Sequence, residues 1–369
     1  KYYKNNKYYT LTFAIPNDKT VSGKKLILDN YGAIRFEGVK SWNWGQDQLP
    51  PTLDPAILNT TPPPIITNIY STYSAFAALD VTGKVHVWGG GGVGWAGCSG
   101  PGWDVCGGGS LAATLDPDRV QGGIVPKITN IYSTWYAFAA LDVNRKVHVW
   151  GIDLYGGLLP PTLDPTIVTN PPKITNIYST KKAFAALDET GKVHVWGDSS
   201  VGGQLPDTLD PTIVTNPPII TDIYSTNAAF AALDVNRKVH VWGLGSYGAD
   251  WSSYGGDQVV VNALGIGPDT TGTATITKMF STTYTFTALT SDGMVVMWGH
   301  SSYDKIGENS SGEKVNVIYN VSSMSIPTFD PLVGTIVTAT HMDGTSTIQW
   351  NNYSSIDVIP TNFLTATAG

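Results

Sequence analysis

The chain of 369 residues is short of charge: Asp, Glu, Lys and Arg together make only 14% of it, against about a quarter in an average soluble domain. The 22 basic residues are outnumbered by 29 acidic ones, and no basic cluster exceeds two residues, as at Lys24-Lys25. No basic stripe interleaved with aromatics is present, which argues against nucleic acid as a partner. There is no apolar run of about 18 residues, so no membrane span is expected. Cysteine is nearly absent. Cys98 and Cys106 are the only two, in GCSGPGWDVCG, and their spacing would close a small loop as a disulfide, with free thiols as the other reading. One such pair with no histidine in the loop does not make a zinc site. Stretches free of proline or glycine are also scarce, which leaves helices almost no room.

What the chain has in quantity is repetition. ITNIYSTYSAFAALDVTGKVHVWG runs from Ile66 to Gly89, and near-copies run from Ile128 to Gly151, Ile174 to Gly197 and Ile220 to Gly243. A weaker copy, ITKMFSTTYTFTALTSDGMVVMWG, runs from Ile276 to Gly299. A degenerate one ends at Trp350, and a leading one, LILDNYGAIRFEG, has Glu37 in the tryptophan position. The markers then stand at 37, 88, 150, 196, 242, 298 and 350, roughly fifty residues apart, a period that belongs to repeat architectures.

Three strand signals recur in each unit. ITNIYST is β-branched, AFAAL is apolar, and KVHVW alternates with a period of two. Between the last two lies a tight turn, Asp-Val-Thr-Gly, Asp-Glu-Thr-Gly or Ser-Asp-Gly, whose glycine supplies a positive φ. Where the turn reads Asp-Val-Asn-Arg, the asparagine is expected in that backbone region. The segment after Trp-Gly, PPTLDPTIVTNPP at Pro160 to Pro172, is too rich in proline for an inner strand and reads as an outer edge and loop. Units of this size predict an all-β fold, a seven-bladed β-propeller of four-stranded blades, forming a single domain over residues 1–369. Its large insertions would be 89–123 and 244–273. The small residues of AFAAL suit an inner strand, and Trp88, Trp150, Trp196, Trp242 and Trp298 suit wedges between blades.

His86, His148, His194 and His240 share one register. One histidine per sheet places neighbours on the order of 10 Å apart, too far for a shared metal ion, so hydrogen bonds to a neighbouring blade are expected instead. Asp54, Asp116, Asp164, Asp210 and Asp330 each precede a proline and are read as turn caps, not calcium ligands. No nucleophile elbow, H-E-x-x-H, Walker loop or dinucleotide fingerprint is present, so neither catalysis nor a cofactor is expected.

Function is expected where the copies differ. The pair before the apolar strand reads Tyr73-Ser74, Trp135-Tyr136, Lys181-Lys182, Asn227-Ala228 and Thr283-Tyr284. The two insertions add Trp95, Trp103, Tyr247, Trp251 and Tyr254. Aromatics of this kind among glycine and serine suit a protein- or sugar-binding surface, or pack their own loops down. Sequons for N-glycosylation occur at Asn59, Asn309, Asn320 and Asn352.

The unit I-x-x-I-x-x-x-x-x-x-F-A-A-L-x-x-x-G-x-V-x-x-W-G, with Gly-Gly-Gln-Leu at Gly202 to Leu205, resembles the repeat of the regulator of chromosome condensation family over roughly Leu26 to Trp350. The resemblance implies the seven-bladed propeller, closed by pairing something in 8–14 with something in 356–368. The sequence departs from the family at Ser71 and Phe76 and in its interrupted Gln-Leu loop. The reading that follows is a non-enzymatic scaffold displaying rim loops to a protein partner or to its own copies, with carbohydrate as a further partner class. Its setting is expected to be extracellular or a particle surface. The alternatives are a structural subunit of a homomeric filament or virion, a polysaccharide-acting enzyme, and a guanine-nucleotide exchange module.

Overall fold

A computed structural model describes residues 64–73, 75–89, 110–120, 124–249, 275–300 and 317–324, together with 52–53 and short strands elsewhere. The described residues divide into two compact units, one ending at Lys182 and the other lying within Ala183–Ser355.

Each of the five clear copies supplies three strands, here called leading, middle and trailing. In the first copy they are Ile66–Ser71, Ala75–Asp80 and Val85–Gly89, and in the second Ile128–Ser133, Ala137–Asp142 and Val147–Gly151. The fourth has Ile220–Ser225, Ala229–Asp234 and Val239–Gly243, and the fifth Ile276–Ser281, Thr285–Thr290 and Val295–Gly299. In these four copies the strands form antiparallel sheets in chain order. The third copy falls across the division: its leading strand, Ile174–Ser179, belongs to the first unit and its hairpin, Ala183–Asp188 with Val193–Gly197, to the second.

The architecture corrects the expected propeller. The repeated unit is a sheet of three strands, not a four-stranded blade, and among the described residues no strand pairing closes the series into a ring. The resemblance to the regulator of chromosome condensation family falls with it, because that family's closed, four-stranded design is what the resemblance implied. The physical cause lies in the proline-rich segment. Prolines 160, 161, 171 and 172 bring no N–H to a ladder, and the backbone there folds into successive turns, with Leu163 and Asp164 amides donating to the Pro160 carbonyl and those of Ile167 and Val168 to the Asp164 carbonyl. Among the described residues only the fifth copy gains a fourth strand, Val317–Ile318, across two residue pairs. Beyond it, Gly334–His341 pairs with Val321–Met324, Thr328–Asp330 and Thr347–Asn352. Near the start, Lys25–Leu28 pairs with Ile34–Glu37. Of the segments expected to pair the chain ends, Tyr8 and Tyr9 pair locally with Tyr3 and Tyr2, and the rest lie outside the described residues.

Successive sheets pack through a division of sizes along the middle strand. In the first unit, Ala75, Ala77, Leu79 and Val85 of the first copy meet Ile131, Phe138, Ala140 and Trp150 of the second. In the second unit, Ala229, Ala231, Leu233 and Val239 of the fourth copy meet Met279, Phe286, Ala288 and Trp298 of the fifth. One face of each sheet is therefore small and the opposite face large. This explains Ala-Phe-Ala-Ala-Leu: its alanines leave room for the Phe–Trp pair of the next sheet, which is how close-packed interiors are filled. Within the first four copies that phenylalanine stacks on the trailing tryptophan, with Phe138–Trp150 centroids 5.1 Å apart and Phe230–Trp242 5.2 Å, and in the fifth Phe286 meets Trp298 at a tilt. Trp242 also donates through Nε1 to the Gly202 carbonyl, 3.1 Å away in the loop after the third copy. AFAAL is thus a middle strand with a partner on each edge, not the inner edge of a blade.

The glycine of each Trp-Gly pair has positive φ, +115° at Gly151 and +111° at Gly243. A Cβ at Gly243 would stand 2.6 Å from the Ala228 carbonyl oxygen and 2.9 Å from the Ala229 Cα, so backbone would have to move. Gly243→Ala is expected to destabilise by about 2–3 kcal/mol, from left-handed backbone plus overpacking. Chemical denaturation against wild type checks it, and a loss below about 1 kcal/mol would contradict this packing.

Candidate functional site

The most regular polar feature is a carboxylate–imidazole pair under the hairpin turn of each of the first four copies. Asp80 ends the middle strand of the first copy, and its Oδ1 accepts the Thr82 amide (2.8 Å), the Thr82 hydroxyl (2.6 Å) and the Lys84 amide (3.0 Å). Its Oδ2 meets His86 Nε2 at 3.0 Å, with both side chains buried. The pairs Asp142–His148, Asp188–His194 and Asp234–His240 repeat this at 3.2, 2.9 and 3.3 Å. The histidines therefore serve their own hairpin, not a neighbouring blade, because six residues of hairpin return the imidazole beneath the aspartate. His148 makes a further bond, from Nδ1 to the Thr114 hydroxyl at 2.9 Å.

Burial, the largest single influence, opposes ionisation of Asp80. The bonds from Thr82, His86 and the Lys84 amide outweigh it, and the carboxyl is held below its usual range. Asp142 and Asp188 are lowered in the same way, burial being outweighed by bonds in which the histidine is foremost. For His86, burial is again the largest influence and lowers the pKa, with Asp80 only partly offsetting it. Such pairs are structural, since their carboxylates are spent on turn amides. Among the described residues no group of three His, Cys, Asp or Glu is placed to hold a metal ion, and no helix is long and apolar enough to cross a membrane.

The turn also corrects one backbone expectation. In Asp-Val-Asn-Arg it is Arg145 and Arg237, not the asparagines, that take positive φ (63° and 61°), in register with Gly83, Gly191 and Gly293. The hairpin ladder fixes that position whatever residue fills it. Arg237 offsets the strain by donating from Nε and Nη2 to the Ile276 and Thr277 carbonyls at 2.7 and 2.9 Å.

At the other end of the sheets lies the variable pair. The threonine before it builds the turn: Thr134 Oγ1 accepts the Ala137 amide at 3.1 Å and donates to the Tyr155 carbonyl at 2.8 Å. Thr226 does the same with Ala229 and Tyr247, both at 3.1 Å. The main chain then links copies, since the Tyr73 amide donates to the Trp135 carbonyl (2.9 Å) and the Trp135 amide to the Lys181 carbonyl (3.0 Å). In the second unit Asn227 donates to the Thr283 carbonyl at 2.9 Å.

These links gather six side chains of the first unit into a ridge. Tyr73 lies 5.0 Å from Trp135 and 5.6 Å from Tyr136, ring centre to ring centre. Tyr136 meets Tyr155 edge-on at 4.9 Å. The Lys181 ammonium sits 5.4 Å from the centre of the Trp135 ring, and that of Lys182 5.3 Å from Tyr155. Tyr73 is 42% exposed, and the other five are half-buried. Burial, with Tyr155 and Tyr73 adding to it, pushes the Tyr136 phenol up to about 12, so it stays protonated and able to donate. The second unit gathers fewer rings, Tyr247 with Tyr284 at 5.5 Å and His300 at 6.0 Å from Tyr247.

Of the residues singled out from sequence, Trp135, Tyr136 and Tyr247 stand in these clusters. Tyr155 was missed, although it sits four residues after Gly151 as Tyr247 does after Gly243, so the aligned copies carried the signal. Trp95, Trp103, Trp251, Tyr254, Cys98, Cys106, Asn59 and Asn309 lie outside the described residues, and Asn352 is described only as strand backbone. Asn320 is exposed, with φ 60°.

No family model matches the chain, and no curated protein does. Among solved structures, it is similar to the CRINKLY WD40 ectodomain of the Arabidopsis thaliana receptor kinase ACR4, at 10% identity over 71% of this chain and 69% of that one, with a TM-score of 0.35. It is also similar to the ectodomain of the Physcomitrella patens receptor kinase CR4, at 12% identity over 89% and 69%, TM-score 0.37. A third is Prp20p of Saccharomyces cerevisiae, at 16% identity over 80% and 74%, TM-score 0.38. Superposition this loose fixes neither the fold nor a function for the chain.

Proposed function

We propose that the protein is a non-catalytic binding scaffold whose variable pairs, displayed at the ends of repeated sheets, dock a protein partner. One observation carries this reading. The variable positions of otherwise near-identical copies come together in the first unit, joined by Tyr155, as a ridge of four aromatic rings and two lysines. Positions the copies share are spent on the core, on the turn carboxylates and on the Trp-Gly bend. Large aromatic side chains with polar tips are the residues that dominate binding energy at protein interfaces. The low charge of the chain supports an extracellular or particle-surface setting.

The test uses residues the fold already accepts. The fourth copy carries Asn227-Ala228 on the same turn, so Trp135→Asn with Tyr136→Ala should keep the backbone intact. Partners cross-linked to the chain in its native source are compared with those recovered by the variant at equal thermal stability. A partner recovered about tenfold less by the variant supports the ridge, as loss of two central aromatics removes at least 1–2 kcal/mol of binding. Equal recovery by both proteins would sink the proposal.

A further inference from the structure

We infer that the trailing strands of the third and fourth copies are docking edges, each taking an extended antiparallel segment of a protein partner in which a hydroxyl residue precedes a β-branched apolar one. The inference stands on different residues from the aromatic ridge. It begins with the ladder. In the fourth copy the Asp234 amide donates to the Lys238 carbonyl and the Leu244 amide to the Ala228 carbonyl. Residues along an antiparallel strand alternate between facing their partner and facing away. His240 and Trp242 therefore turn their main chain toward the middle strand, while Val239 and Val241 turn theirs outward. The third copy has the same register, with Val193 and Val195 outward. Among the described residues no main-chain bond meets these outward groups. Such a row of N–H and C=O groups is a template for a further strand.

The fifth copy shows what fits such an edge. Val317–Ile318 runs antiparallel along its trailing strand, with Val317 opposite Val296 and Ile318 opposite Val295. There Val296 and Met297 have no exposed surface. At the same positions of the third and fourth copies, Val195 and Val241 are half-buried, and the His194 and His240 side chains are 16% and 13% exposed. An edge that is filled in one repeat is thus left open in two others.

The histidines set the chemistry of the occupant. Asp188 and Asp234 hold Nε2 of His194 and His240 at 2.9 and 3.3 Å, and among the described residues neither Nδ1 has a partner. A carboxylate only accepts, so Nε2 carries the proton and Nδ1 of the neutral ring is left as an acceptor. In the second copy that same nitrogen meets the Thr114 hydroxyl at 2.9 Å. An occupant in the register of the fifth copy places one side chain opposite the imidazole, in a non-hydrogen-bonded pair where facing side chains lie closest, and the next opposite Val193 or Val239. Thr or Ser followed by Ile or Val serves both positions. The partner's main chain then supplies affinity and these two side chains select the segment, as in strand addition generally.

The probe is the hexapeptide Lys-Val-Asn-Thr-Ile-Tyr, segment 314–319 of the chain carrying Val317→Thr. It is titrated into the full chain, and residue-resolved hydrogen exchange is followed. The amides of Val193, Val195, Val239 and Val241 should exchange freely without peptide and gain protection as it is added. Replacing the peptide's Ile by Pro removes the amide that would meet Val193 or Val239, and affinity should fall at least tenfold. The unaltered segment, Lys-Val-Asn-Val-Ile-Tyr, should bind wild type about threefold less tightly, for want of the hydroxyl. A chain carrying Asp188→Thr, His194→Val, Asp234→Thr and His240→Val has the fifth copy's own residues at both edges and should lose that preference. Should this variant fail to fold, the three peptides on wild type decide alone. No protection at the four valines overturns the inference, as does equal binding of the Pro peptide or of the unaltered segment. Protection of those amides without peptide overturns it too, because the edge is then already filled, by a second copy if the protection rises with protein concentration.

Discussion

Phe138→Ala is expected to lower the free energy of unfolding by about 3–5 kcal/mol, the usual cost of removing a fully buried ring. Phe138 has no exposed surface, stacks on Trp150 and enters the space left by Ala75 and Ala77 of the preceding copy. Truncation therefore forfeits apolar transfer, ring–ring contact and the fit between two sheets at once. Neighbouring backbone cannot collapse into the gap, because the strand is paired on both edges, to Ile128–Ser133 and to Val147–Gly151. Trp150→Ala should cost a similar amount, and the double variant should cost less than the sum, since the two rings support each other. With two compact units in the chain, a single melting midpoint is not a sufficient readout. Hydrogen exchange followed by peptide should show the loss in the first and second copies first. A cost under about 1 kcal/mol, or protection lost only far from these copies, would refute sheet-on-sheet packing through the Phe–Trp pair.

How far the sequence could be read follows from which interactions are local. Strand positions were legible because β-branched and alternating patterns act within a few residues, and all five copies supply strands at ITNIYS, AFAALD and VHVWG or their equivalents. The fourth strand was not, because the number of strands in a sheet is settled by whether the next segment can offer a ladder. The prolines at 160, 161, 171 and 172 already said that it could not, and the fifty-residue period overrode them. The face of the middle strand was half legible. Its alanines were read as crowding near an axis, whereas the crowding comes from the Phe138–Trp150 and Phe286–Trp298 pairs of following sheets. Sheet-to-sheet contact spans one whole repeat, so no local pattern reveals it. For the site, variation between copies pointed to Tyr73, Trp135 and Lys181. The geometry that joins them depends on main-chain bonds between copies that sequence does not display.

The strongest signal that went unread is a covariation, and it sets the remaining prediction. Copies one to four carry Asp at the end of the middle strand and His six residues later. In the fifth both change together, to Thr290 and Val296. Thr290 Oγ1 accepts the Met294 amide at 3.0 Å, taking over a turn bond that Asp80 makes to Lys84, while the buried Val296 has no polar atom left to satisfy. Asp80→Ala should therefore cost about 3–5 kcal/mol, since it strips the turn of its acceptor and leaves buried His86 without its carboxylate. Asp80→Thr with His86→Val should recover most of that loss. The pair also sets a direction with pH. Asp80 is lowered in the fold, so its contribution is present above the unfolded value near 3.9 and fades as pH falls through the folded one. His86 is lowered too, and the neutral ring favoured by the fold becomes a liability as pH drops below about 6.5, where the unfolded chain takes up the proton. Both effects weaken the wild type on acidification. Stability measured by denaturant from pH 7 to pH 3 should then fall less steeply in the Thr–Val variant than in wild type. Identical slopes, or a double variant no better than Asp80→Ala, would mean that the carboxylate and imidazole do not act as one unit beneath the turn.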